Sequence, residues 1–116
     1  MLTIYHNPRC SKSRNTLKLI EASGVPFEVV KYLDNPPDVD TLLDIYKKLG
    51  EPVTFMLRPK EAQFKALELN LNDERTHEEW LKIVHEHPIL LERPIVVSED
   101  KAIIGRPPEN VQALLP

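Results

Sequence analysis

Cys10 is the one cysteine in a chain of 116 residues. Arg9, Lys12 and Arg14 set three cationic side chains close around it. The apolar run Leu2 to Tyr5 precedes it and is broken by His6, Asn7 and Pro8, while Leu17, Ile20 and Ala22 follow it with helical spacing. The thiol therefore stands at or just before the first turn of a helix. There the positive end of the helix dipole and several unpaired backbone N–H groups favour the thiolate, and the neighbouring cations push the same way. A free cysteine also packs well as a small buried hydrophobe; it is the position that argues for reactivity. Ser13 stands where a Cys-x-x-Cys motif has its second cysteine, so Cys10 lacks a partner thiol and turnover needs one from outside. Ser13 can still donate a hydrogen bond to the thiolate. His6 either tunes Cys10 across the turn or caps the end of the strand.

Arg58, Arg93 and Arg106 each precede a proline, at an edge between an element and a loop. Guanidinium forks held by stiff turns suit a tetrahedral oxyanion. His77, His85 and His87 lie on or beside a polar-faced helix. With no second cysteine, and no His-x-x-x-His pair beside a carboxylate, no metal site is expected.

The elements that must position these side chains follow from hydrophobic spacing. Leu2–Tyr5 reads as a strand, Cys10 to Ser23 as a helix ended by Gly24, and Phe27–Tyr32 as a second strand. A strand, helix and strand of this size make a βαβ unit with a right-handed crossover. Asp38 or Asp40 can cap a second helix with an apolar stripe at Leu42, Leu43, Ile45, Tyr46 and Leu49. Residues 51–91 read as helical throughout, with Thr76 and Glu79 in capping-box spacing before Trp80, Leu81, Ile83 and Val84. Pro94–Val97 and Lys101–Ile104, joined by Ser98-Glu99-Asp100, have the form of a hairpin. A last helix carries Val111, Leu114 and Leu115. The expectation is a single α/β domain over 1–116, β-α-β, then a helical insertion at about 51–91, then β-β-α.

Composition narrows the function classes. The net charge of −3 gives bulk electrostatics no reason to attract nucleic acid or an anionic membrane, so any positive field is local. One cysteine agrees with a reducing compartment. No run approaches a membrane span and no signal-peptide core opens the chain, so a soluble, cytoplasmic protein is expected. Eleven prolines against three glycines mark many element ends.

The stretch His-Asn-Pro-x-Cys-x-x-Ser-Arg-Asn-Thr-Leu, His6 to Leu17, resembles the signature of the glutaredoxin-linked arsenate reductases. Tyr32 to Pro37, Leu57-Arg58, His87 to Leu90, Arg93 to Val97 and Gly105-Arg106-Pro107 resemble that family in the same order, so the likeness runs through nearly the whole chain. It implies a thioredoxin-like (glutaredoxin-like) fold, a mixed four-stranded sheet with a helical insertion. It further implies that Cys10 is the nucleophile that forms a thiol–arsenate adduct and that Arg58, Arg93 and Arg106 bind the oxyanion. His6, Ser13, Arg14 and Pro94 would be supporting residues, with Pro94 in a cis peptide bond facing the cysteine. No bound cofactor is implied. Glutathione would be the co-substrate, giving a mixed disulfide with Cys10, and glutaredoxin the partner that regenerates the thiol. Arg9 and Ser11-Lys12 depart from the smaller residues of better-known members, and the chain stops at Pro116 without the longer tail of some. The added cations suit glutathione's carboxylate as well as arsenate. Two other readings share the fold: a glutathione-dependent thiol oxidoreductase without arsenate activity, and a non-enzymatic regulator resembling the Spx proteins that bind RNA polymerase.

Overall fold

Four short strands and the helix after the first of them hold Cys10. In the computed structural model, which describes all residues from Met1 to Pro116, the strands are β1 (Leu2–Tyr5), β2 (Phe27–Val30), β3 (Ile95–Val97) and β4 (Ala102–Ile104). They form one sheet in the order β2-β1-β3-β4. β1 and β2 are parallel, with Leu2 opposite Phe27, and the connection between them is helix α1 (Ser11–Ser23). β3 runs antiparallel to β1, with Ile4 opposite Val96, and β4 antiparallel to β3. The sheet is thus mixed, as expected.

The chain forms two compact units. One contains Met1–Asn35 and Arg93–Pro116, and the other Pro36–Glu92. The first has its core at Leu2, Ile4, Ile20, Val96 and Val111, which join β1, α1, β3 and the C-terminal segment. That segment, Pro108–Leu114, is a 3₁₀ helix where a plain helix was expected. Its three-residue turn brings Val111 and Leu114 onto one side, and both pack on this core. β2 ends at Val30, two residues before the expected Tyr32, because the Lys31 carbonyl accepts from Asp34 N–H and Asn35 N–H and turns the chain. Helix α1 stops at Gly24, whose φ of 75° lies in the left-handed region that a residue with a side chain rarely adopts.

The second unit is helical and includes helix α2 (Val39–Leu49). Asp38 caps α2 by accepting from Thr41 N–H at 2.8 Å, and Leu42 and Ile45 are buried. Two shorter elements follow, a 3₁₀ turn at Val53–Met56 and helix α3 (Ala62–Ala66). Helix α4 (His77–Glu86) opens on the complete Thr76–Glu79 capping box and buries Trp80, Leu81 and Val84. Tyr46 stacks on His77 at 4.8 Å between ring centres, and Phe64 on Trp80 at 6.3 Å. The stretch 51–91 is not helical throughout, for Leu57 pairs with Leu91 in an isolated antiparallel bridge. Arg58 N–H donates to the Leu90 carbonyl at 2.8 Å and Glu92 N–H to that of Met56 at 2.7 Å. Both leucines are buried, and pairing their backbones meets hydrogen bonds that no helix there supplies.

Candidate active site

Cys10 is the N-cap of α1, with extended backbone (φ −94°, ψ 123°). Its N–H donates to the Asn7 carbonyl at 3.0 Å, and its carbonyl accepts from Arg14 N–H at 3.0 Å. The residue is partly exposed. Burial pushes the thiol up, but the amide of Ser13, the guanidinium of Arg93 and the amide of Lys12 outweigh it, so the pKa lies below the ordinary value. The helix start and one arginine therefore act together on the sulfur, in the sense that spacing alone suggested.

Two of the three arginines reach this sulfur. Arg106 Nη1 lies 3.9 Å from Cys10 Sγ and donates to the Arg93 carbonyl at 3.2 Å, and Arg93 interacts with the thiol both as donor and as charge. Two guanidinium groups beside a thiolate can offset charge on an oxyanion and on the adduct it forms. Arg58 belongs to the helical unit. Its Nε donates to Glu61 Oε1 at 3.1 Å and its Nη1 to Glu92 Oε1 at 2.7 Å.

The loop from β1 to α1 is pinned from several sides. Ser13 is fully buried, and its hydroxyl lies 2.6 Å from His6 Nδ1 and accepts from Asn7 N–H at 3.1 Å. Ser13 donates to the thiolate through its backbone amide, while its hydroxyl serves His6 and Asn7. The His6 ring is pushed below its ordinary value by burial, then by Lys31 and Arg14. Arg14 is exposed and donates from Nη1 to the Pro8 carbonyl at 3.0 Å, so it ties the loop down. Asn7 Oδ1 accepts from Arg9 N–H at 3.0 Å. Asn-Pro in the sequence signals that turn.

Pro94 follows Arg93 through a cis bond, as expected, and Arg106–Pro107 is also cis. Gly105 N–H donates to the Pro94 carbonyl at 2.9 Å. A Cβ on Gly105 would lie 2.5 Å from Thr16 Oγ1 and 2.7 Å from Pro94 Cγ. Only glycine lets the segment before Arg106 lie this close to α1 and Pro94. Gly105 and Thr16 are site-building residues that periodicity does not reveal, since a space requirement exists only after folding.

Comparison with known proteins agrees with this geometry. Residues 5–114 match the sequence profile of the ArsC family. An arsenate reductase of Neisseria meningitidis is 49% identical over 115 residues, covering 98% of this chain and 97% of its own. The Escherichia coli protein YfgD is 53% identical over 110 residues, covering 93% and 91%. The solved structure of an arsenate reductase from Vibrio cholerae, 45% identical, superposes with a TM-score of 0.91 over 98% of this chain and 97% of that one. A cysteine capping α1, two arginines delivered to it by proline turns, a thioredoxin-like sheet beneath them and a match over most of the length have one reading: the chain belongs to the ArsC family.

Proposed function

We propose that this protein is an arsenate reductase that uses Cys10 as nucleophile and glutathione with glutaredoxin as the source of electrons. The observation that carries the reading is the Cys10 thiol, lowered in pKa at the start of α1 with Arg106 Nη1 at 3.9 Å. The relatives named arsenate reductases support the substrate. Attack of one anion on another is opposed by repulsion, and the arginines answer that need. Cys10 Sγ bonds to arsenic, and one arsenate oxygen leaves as water. The glutathione thiolate then bonds to Cys10 Sγ. The S–As bond breaks with its electron pair on arsenic, so As(V) becomes As(III) while two thiols become one disulfide. Glutaredoxin takes the glutathione sulfur and returns the Cys10 thiolate. Arg93 and Arg106 are assigned to the oxyanion, with Arg58 as the third such residue, and Ser13 and His6 to positioning.

The test is arsenate-dependent oxidation of reducing equivalents by the purified chain in a coupled glutathione–glutaredoxin assay. Cys10→Ser should lower the rate by at least about a thousandfold. Absence of arsenate-dependent turnover in the parent, or retention of it in Cys10→Ser, removes the reading. A second reading is a glutathione-dependent oxidoreductase of the same fold without arsenate turnover. It is favoured by the two carboxylates already bonded to Arg58, and a Cys10–glutathione disulfide formed without arsenate supports it.

A further inference from the structure

Beside the β1–α1 loop, at the carboxyl ends of the parallel strands β1 and β2, lies a recess of about 390 Å³. Its rim carries Pro8, Arg9, Lys31, Leu33 and Asp34, and His6 and Asn7 complete the lining. The volume lies within the range of small-molecule pockets.

The charges in the recess are of both signs. Arg9 and Lys31 form no ion pair with a carboxylate, nor Asp34 with a cation. Leu33 is 42% exposed, leaving an apolar surface between them. The loop that carries Arg9 is fixed by Asn7 Oδ1, the Ser13 hydroxyl and Arg14, so its shelf is preorganised and ends at the residue before Cys10. Lys31 and Asp34 belong to one turn, closed by Asp34 N–H on the Lys31 carbonyl at 3.0 Å. Two cations and one carboxylate around a short apolar face complement a small zwitterion with more negative than positive groups.

We propose that this recess is the binding subsite of the co-substrate thiol, a γ-glutamyl peptide of glutathione's kind. Arg9 and Lys31 receive its carboxylates, Asp34 its α-ammonium, and Leu33 with Pro8 its methylene chain. The assignment rests on the proposed use of glutathione and explains what Arg9 does beside a thiol already served by Arg93 and Arg106. It also separates the two anions. The oxyanion belongs to the arginines of the proline turns, and the peptide carboxylates to Arg9 and Lys31.

The test uses S-methylglutathione, whose blocked sulfur cannot form a disulfide, titrated by calorimetry into the full chain. Binding is expected, and Arg9→Ala and Lys31→Ala should each weaken it by roughly three- to fivefold, the worth of one exposed charge contact. Asp34→Asn should weaken it similarly, and N-acetylation of the probe should abolish that dependence on Asp34. In turnover, Arg9→Ala and Lys31→Ala should raise KM for glutathione while KM for arsenate stays within about twofold. Failure of the probe to bind the parent overturns the proposal, as does equal binding in all three variants or an increase in KM for arsenate in place of glutathione. Should the chain turn over no arsenate and yet bind the probe through these residues, the arsenate reading falls and the subsite stands. Arsenate turnover with binding indifferent to the three substitutions has the reverse meaning.

Discussion

A single thiol is useful only if it is a thiolate at working pH, and groups next to Cys10 favour that form. The amide of Ser13 and the guanidinium of Arg93 lower its pKa against the opposing effect of burial. The rate of Cys10 alkylation by iodoacetamide should therefore have its pH midpoint below that of an ordinary thiol, and Arg93→Gln should move the midpoint upward. A midpoint at or above the ordinary thiol value in the parent contradicts the assignment. Ser13 carries a different load. Ser13→Ala leaves His6 Nδ1 and Asn7 N–H buried without their hydroxyl partner, at a cost of about 1–3 kcal/mol in urea unfolding. His6 adds a pH dependence of definite sign. Its folded pKa is depressed below 6.5, so the unfolded chain binds the proton more readily and stability declines as pH falls below about 6.5. His6→Gln removes this titration, and comparing the pH dependence of urea midpoints for the two proteins checks it.

At the scale of elements, the packing of α1, the Pro94 turn and the segment leading to Arg106 depends on one missing side chain. Gly105→Ala forces a methyl group into Thr16 and Pro94. Overpacking of this kind costs about 1–3 kcal/mol, and the displaced Arg106 should raise KM for the oxyanion. A variant with parent-like urea midpoint and kinetics shows that the segment relaxes freely and that the close approach is not required. Several boundaries were plain from residue types. Asp38 and Thr76 cap their helices through side-chain oxygens, and Gly24 and Gly50 end theirs in the left-handed conformation. The 3₁₀ character of Pro108–Leu114 and the Leu57–Leu91 bridge were not legible. Both are answers to where buried backbone and side chains had to go, which spacing along one segment does not encode.

For the molecule as a whole, charge balance and local field point in opposite directions. The net charge is −3, so an anionic substrate governed by the total would be repelled, and added salt would raise kcat/KM by screening. Local cations at Cys10 give the opposite sign. The expected result is a decline of kcat/KM for arsenate as ionic strength goes from about 0.01 to 0.15 M; a rise would mean that the site's positive field does not govern capture. No helix is long and apolar enough to cross a membrane. The helical unit, Pro36–Glu92, takes in α2, which local patterning had grouped with the strands before it. The buried stripe of α2 records that a partner exists without naming it.

The sequence by itself determined the place of the lone cysteine, the helix that begins at it, the caps, and the proline-marked turns that carry Arg93 and Arg106. Each follows from forces that act within a few residues: dipole, hydrogen bond, backbone restriction and nearby charge. Only the tertiary structure decided that Arg93 and Arg106 meet at Cys10 from 83 and 96 positions away, that the Ser13 hydroxyl serves His6, and that Gly105 must lack a side chain. It also brought Arg9, Lys31 and Asp34 to one recess. Those relations depend on strand order and on the space left between packed elements, quantities that come into being only when the sheet forms.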